Sequence, residues 1–181
     1  MDLAATHCLA LPRASLLALR AALIRDTGGS FATFLQEAGY AGGEAVFAAF
    51  RSWLGARDED VDTLDMEMFQ ARAAEFFRVA GWGSITIAPV GDVVAMVDST
   101  DWGEADPLSA LPYPSCHYTT GMFADFFGRT AAAPLAVLEV ECRSSGSAQC
   151  RFLVGATEVM GHLYERMAAG EHYEAAAQAL T

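Results

Sequence analysis

The chain has 181 residues, 53% of them hydrophobic, and a formal net charge of −12. That length suits one domain with a sizeable core, and the acidity argues against nucleic acid or an anionic membrane surface as partner, both of which need a basic footprint. Four cysteines, with Cys8 far from the rest, do not make a secreted disulfide framework.

No apolar run reaches the roughly 18 residues of a membrane helix. The first residues lack the cationic and long apolar stretches of a signal peptide. A cytoplasmic location is therefore expected, as one domain over residues 1–181 without internal repeats.

In chain order, Pro12 to Asp26 reads as a helix with Leu16, Leu19 and Leu23 on one stripe, stopped by Gly28 and Gly29. Ser30 can cap the next, whose short apolar face is Phe31, Phe34 and Leu35. Gly39, Gly42 and Gly43 either interrupt that helix or let it pack closely. Val46, Phe47, Phe50, Trp53 and Leu54 form a stripe that needs burial. Either core packing or a dimer interface made by the first helices, within residues 1–56, would supply it. Arg57 to Asp65 is an acidic linker without the glycine and closing glutamate of a calcium loop.

Residues 63–169 hold the expected ligand-binding and zinc-binding core. Met66, Phe69, Ala73, Phe76, Phe77 and Ala80 make a helical stripe ended by Gly81. Ile85 to Pro89 alternates as a strand, Val90 to Asp92 turns, and Val93 to Val97 returns. Asp98 to Pro114 is a long connection of the kind that forms lids and pocket mouths. A helix follows from Cys116 to Gly128. Leu135 to Glu141 and Cys150 to Val154 pair around the turn Arg143 to Ala148, and Thr157 can cap the last helix. Gly170 to Thr181 is alanine-rich, a short helix or a frayed end. The fold class is α+β: an antiparallel sheet of two hairpins with helices on one face, behind a helical N-terminal half.

Cys116, Glu139, Cys142 and Cys150 form a candidate zinc site. Three thiolates and a carboxylate fill a tetrahedron and leave no position for an activated water, so the zinc would be structural. In a regular strand residues 139 and 142 point to opposite faces, so the strand must bend or bulge before Cys142. Glu141 and His117 are competing fourth ligands. A disulfide across the hairpin, or buried free thiols, are the alternatives.

A cysteine before an apolar helix, then E-x-x-C, then C-R-F eight residues beyond that second cysteine, resembles the 4-vinyl reductase (4VR) domain. The specific match covers roughly the last 75 residues. The resemblance implies a bacterial sensory module for aromatic compounds. It also implies a fold similar to the TRAPP tethering subunits, of the nitric-oxide-signalling and Golgi-transport ligand-binding type, with a tendency to dimerise. The ligands of the sensor branch match Cys116, Glu139, Cys142 and Cys150 in identity and spacing. The His and Trp with which phenol-sensing relatives hold the ligand hydroxyl do not carry over: Met96 lies in the corresponding strand, and no His occurs between His7 and His117.

No dinucleotide fingerprint, nucleophile elbow or phosphate loop is present. The leading expectation is thus a non-catalytic module for a hydrophobic or aromatic small molecule. Phe76, Trp82, Met96, Trp102, Tyr113, His117 and Phe123 are the candidate ligand contacts, and a homodimer is expected. The alternatives are an accessory protein or reductase acting on a tetrapyrrole vinyl group in bacteriochlorophyll synthesis, and a protein–protein scaffold whose cavity is filled.

Overall fold

A computed structural model describes Ala5 and residues 7–180 of the chain. The ends of the expected 1–181 domain, residues 1–4, 6 and 181, lie outside them. The elements are α1 (Arg13–Thr27), α2 (Phe31–Gly55), α3 (Met66–Val79), β1 (Thr86–Val90), β2 (Val94–Ser99), α4 (His117–Ala131), β3 (Leu135–Glu141), β4 (Cys150–Ala156), α5 (Thr157–Ala168) and α6 (Tyr173–Gln178). The strands form one antiparallel sheet in the order β1-β2-β4-β3. The two expected hairpins are joined through β2 and β4, with Val94 opposite Gly155 and Ser99 opposite Cys150.

The helices cover both faces of the sheet, which corrects the expectation of one. On one face Ile87, Val97, Phe152 and Val154 pack with the aromatic residues of α2, α3 and α4. On the other, Val94 and Leu153 meet Met160 and Leu163 of α5 and Tyr173, Ala176 and Ala177 of α6. β2 accordingly reads Val-Ala-Met-Val, an apolar run rather than an alternation, as strands buried on both sides do.

α2 is continuous through its three glycines, because they admit α4 rather than break the helix. A Cβ on Gly39 would lie 2.0 Å from the Tyr118 carbonyl oxygen, and one on Gly121 would lie 2.0 Å from that of Gln36. The two helices therefore touch backbone to backbone. Gly121→Ala is expected to cost about 1–3 kcal/mol, since both clashing partners are main chain and can yield only by separating the helices. Urea unfolding checks it, and an unchanged midpoint would refute this account of the crossing.

The stripe that needed burial is covered within the chain. Phe50, Trp53 and Leu54 are buried, and Phe50 sits 5.2 Å from the Phe76 ring and 5.5 Å from Phe126. Neither Ser30 nor Thr157 caps its helix: the N-cap of α5 is Ala156, and no side-chain hydrogen bond is made at either start. The start of α3 is capped, by Asp65, which accepts from the Met68 amide at 2.8 Å. α4 runs past Gly128 to Ala131 and ends on Ala132 in the left-handed region.

Candidate metal centre and cavity

Cys116 immediately precedes α4, Glu139 lies on β3, Cys142 follows that strand and Cys150 opens β4. The bend demanded by strand periodicity is present: pairing slips from Glu139↔Phe152 to Glu141↔Arg151, a bulge between residues 139 and 141. It brings four ligand atoms from Cys116, Glu139, Cys142 and Cys150 within 4.8 Å of one another.

The Cys116 sulfur lies 3.8 Å from that of Cys142 and 3.9 Å from that of Cys150. A disulfide needs about 2.05 Å; all four cysteines are free. Thiolates about 2.3 Å from a tetrahedral zinc ion stand about 3.8 Å apart, which is the spacing seen. Glu139 supplies the second test of fit. Its Oε2 accepts from the Cys116 amide at 2.7 Å. Its Oε1 is buried and has no hydrogen-bond partner. A buried carboxylate oxygen left alone is costly, and a cation among the three sulfurs would satisfy it. The donor set therefore fits a closed, soft metal site.

The competing fourth ligands are turned elsewhere. Glu141 accepts from Arg151 at 3.1 Å and from the Tyr173 hydroxyl. Those contacts tie it to the Asp98–Arg151 ion pair and α6. His117 packs edge-on against Phe31 at 5.2 Å, and burial lowers its pKa.

The electrostatics reflect three thiols and a carboxyl crowded without a cation. Burial pushes the Cys116 thiol well up. Burial and then the charge of Cys142 push Glu139 to about 9. Cys142 is held far below its ordinary range, first by the hydrogen bond from Cys116 and next by that from Cys150. One negative charge is thus shared by a cluster that could carry four, and a divalent cation would release the remaining protons.

A polar support behind the start of α4 had no signal in the sequence. Glu104, in the long connection after β2, is buried. Its carboxylate accepts from the amides of Tyr118 and Thr119, at 3.0 and 2.7 Å, and from the Thr119 hydroxyl. Burial raises its pKa to about 7 against those bonds. Arg20 of α1, also buried, donates to the Glu104 carbonyl and to Ser115 Oγ. Arg20 and Glu104 thereby fix the turn that presents Cys116.

The seven candidate ligand contacts are dispersed. Phe76, Trp102 and Phe123 are buried in one aromatic cluster with Phe77 and Phe126. Trp102 also donates to the Thr119 hydroxyl at 2.7 Å. Trp82 is stacked between Trp102 and Tyr118, at 5.5 and 5.8 Å. Met96 faces the opposite side of the sheet, with α5 and α6. Tyr113 is exposed beside Phe31. These rings fill space rather than enclose it.

A cavity of about 930 Å³ lies elsewhere on the α3–α4 face, and none of the seven lines it. Its walls are Val61 and Leu64 before α3, Phe69 of α3, Ile87 of β1, Val97 of β2, Phe127 of α4, Leu135 of β3 and Val154 of β4. Sequence reading missed these because each is an ordinary core residue type; only the aromatic-poor strand positions facing Phe69 and Phe127 hinted at unfilled room.

With the geometry in place, residues 103–156 match the 4-vinyl reductase (4VR) domain family. The fold is similar to the phenol-responsive sensory domain of the transcription activator PoxR, solved with phenol, at a TM-score of 0.65 and 15% identity over 83% of this chain and 77% of that one. It is also similar to trafficking protein particle complex subunit 3 from Naegleria fowleri, covalently bound to palmitic acid. There the TM-score is 0.61 with 12% identity, over 79% of this chain and 91% of that one. A vinyl-4-reductase family protein from Methanocaldococcus jannaschii aligns at a TM-score of 0.49 and 16% identity, over 81% of this chain and 82% of that one. No curated protein matches by sequence. No helix among the described residues is long and apolar enough to cross a membrane.

Proposed function

Because residues 103–156 form a 4VR domain, we propose that this chain is a zinc-stabilised, non-catalytic sensor or carrier module for an apolar small molecule. The observation that carries the reading is the 930 Å³ cavity walled by Phe69, Ile87, Val97, Phe127 and Val154. Its size falls at the upper end of ordinary small-molecule pockets, and its walls are apolar, as such sites require. Neighbours of the same fold hold phenol and palmitic acid, which supports an apolar occupant. Cys116, Glu139, Cys142 and Cys150 would hold the zinc ion. It would tie α4 to the β3–β4 hairpin, two walls of the cavity, and a reducing cytoplasm would keep its thiols free.

The working division is a ligand-binding and metal-binding core over 63–169 and a helical dimerisation region over 1–56. Leu19, Phe34 and Tyr40 of α1 and α2 are exposed and support that region as the contact between two copies. A light-scattering mass of one chain at micromolar concentration would remove the dimer.

Decanol at 100 times its dissociation constant is expected to add about 2.7 kcal/mol, a rise of roughly 5–10 °C in melting temperature for a chain of this size. Ala95→Trp places an indole in the cavity from β2, where Ala95 is half-buried. It should abolish that rise while leaving the melting temperature without decanol within a few degrees. A decanol response that survives Ala95→Trp would place binding outside the cavity.

A further inference from the structure

We propose that the cavity selects its occupant by charge and holds it without a covalent bond. The ligand is an apolar molecule whose polar end is neutral or cationic, and carboxylates and other anions are rejected. The inference rests on the cavity being the ligand site.

The ionisable side chains around the cavity are Asp62, Asp65 and Asp92, with no arginine, histidine or cysteine among the lining residues. The chain contains no lysine at all. The carboxylates stand at the mouth on two sides: Asp62 and Asp65 before α3, Asp92 in the β1–β2 turn. All three are exposed, beside the exposed apolar side chains of Met66 and Val93. An occupant would place its apolar body against Phe69, Val97 and Phe127 and leave its polar end among these three charges.

The groups that could rescue an anion there are already engaged. The N-terminus of α3 opens on the mouth, and such a helix end attracts anions. Asp65 occupies it, accepting from the Met68 amide. Thr130 and Ala131 bring in the other kind of helix end, the C-terminus of α4, which favours a cation. The neighbouring Arg129 is tied to Asp125 at 2.6 Å and to Glu44 at 3.2 Å. Arg51 reaches Asp62 only at 3.5 Å, between largely exposed side chains, and a pair of that kind is worth little. A carboxylate entering this mouth would meet three like charges and no donor of positive charge. The penalty for burying an unpaired anion would fall on it in full.

Covalent capture lacks a nucleophile. Cys116, Cys142 and Cys150 belong to the metal cluster, and Cys8 donates to the Ala45 carbonyl. The one lining hydroxyl, on Thr130, is bonded to the Phe126 carbonyl at 3.1 Å. A fatty acyl group could not be anchored as a thioester here.

The test titrates the full chain with decyltrimethylammonium, decanol and decanoate at pH 7.5 by calorimetry, with intact mass measured after incubation with palmitoyl-coenzyme A. The cation and the alcohol should bind one per chain, decanoate at least about 30-fold more weakly than the cation, with no acyl adduct on the chain. The double change Asp62→Asn, Asp92→Asn should narrow the cation-to-anion ratio by about fivefold or more. The same charge removed from the far side of the sheet, by Glu158→Gln with Glu165→Gln on α5, should leave it within twofold. Decanoate binding within threefold of the cation would overturn the selectivity, as would a ratio that collapses equally in both double variants. A palmitoyl adduct would overturn the non-covalent part. If none of the three probes binds, the cavity is not the ligand site, and the inference falls together with that reading.

Discussion

Cys142→Ser is expected to leave the chain without metal and to lower its melting temperature by roughly 10 °C or more. Loss of a structural ion is among the few single changes worth about 4 kcal/mol or more. Cys142 is the hub of the cluster: buried, 3.8 Å from the Cys116 sulfur, and placed by the β3 bulge. Serine supplies a hard hydroxyl where a soft thiolate is needed. It also leaves the Glu139 oxygen that has no partner still buried. The measurement is zinc per chain by native mass spectrometry and elemental analysis, beside a melting curve. The wild type should hold one zinc, and chelator should lower it toward the variant. The variant should not respond to chelator, and Cys8→Ser should behave as wild type. A wild type that is metal-free and melts at the same temperature as Cys142→Ser would make the cysteines ordinary buried thiols.

The acid–base state of the cluster adds a direction to that result. Burial raises the Cys116 and Glu139 pKa values, Glu139 to about 9, so both bind protons at neutral pH when no cation is present. Metal must displace those protons. Affinity therefore falls as pH falls, by up to about tenfold per unit for each proton released. A zinc affinity independent of pH between 6 and 8 would contradict this proton count.

The metal cluster was legible in the sequence for chemical reasons. Cysteines are scarce here, few side chains bind soft cations, and the period-2 geometry of a strand turned the 139–142 spacing into a demand for a bulge. The hairpins and the α3 stripe were legible through periodicity and glycine punctuation. The two-sided sheet was less so, although Val-Ala-Met-Val in β2 carried the signal of burial on both faces. The cavity was not legible. Aromatic abundance suggests pocket lining, yet Phe76, Trp102 and Phe123 satisfy one another by edge and face contacts with Phe77 between them. Space is left where the side chains stop short, at Ile87, Ala95 and Val97. A void is a difference between shapes, and no residue type marks it. Glu104 and Arg20 were missed for a related reason: their role depends on the loop after β2 folding under α4.

Decanol and zinc are expected to strengthen each other's binding by about 10–100-fold, because the same three elements reach both sites. α4 follows Cys116 and ends at the cavity with Phe127, Thr130 and Ala131. β3 carries Glu139 and lines the cavity with Leu135; β4 begins at Cys150 and lines it with Val154. Four residues of strand separate each pair, about 13 Å. Between the ends lies packed aromatic core, including Phe123 and Phe152 at 5.3 Å, which shifts as a unit rather than yielding locally. Without the ion, crowded thiols and an unsatisfied carboxylate oxygen favour separation of α4 from the hairpin, which opens the far walls as well. The reciprocal form of linkage gives the cleaner experiment. Zinc affinity, set by competition with a chromophoric chelator, should rise by the same factor at saturating decanol as decanol affinity rises on adding zinc. Equal zinc affinity with and without decanol would mean that the two ends are independent. The ion would then be a rivet that holds the domain closed whatever occupies the cavity, and a signal leaving this module would have to pass through α1 and α2 instead.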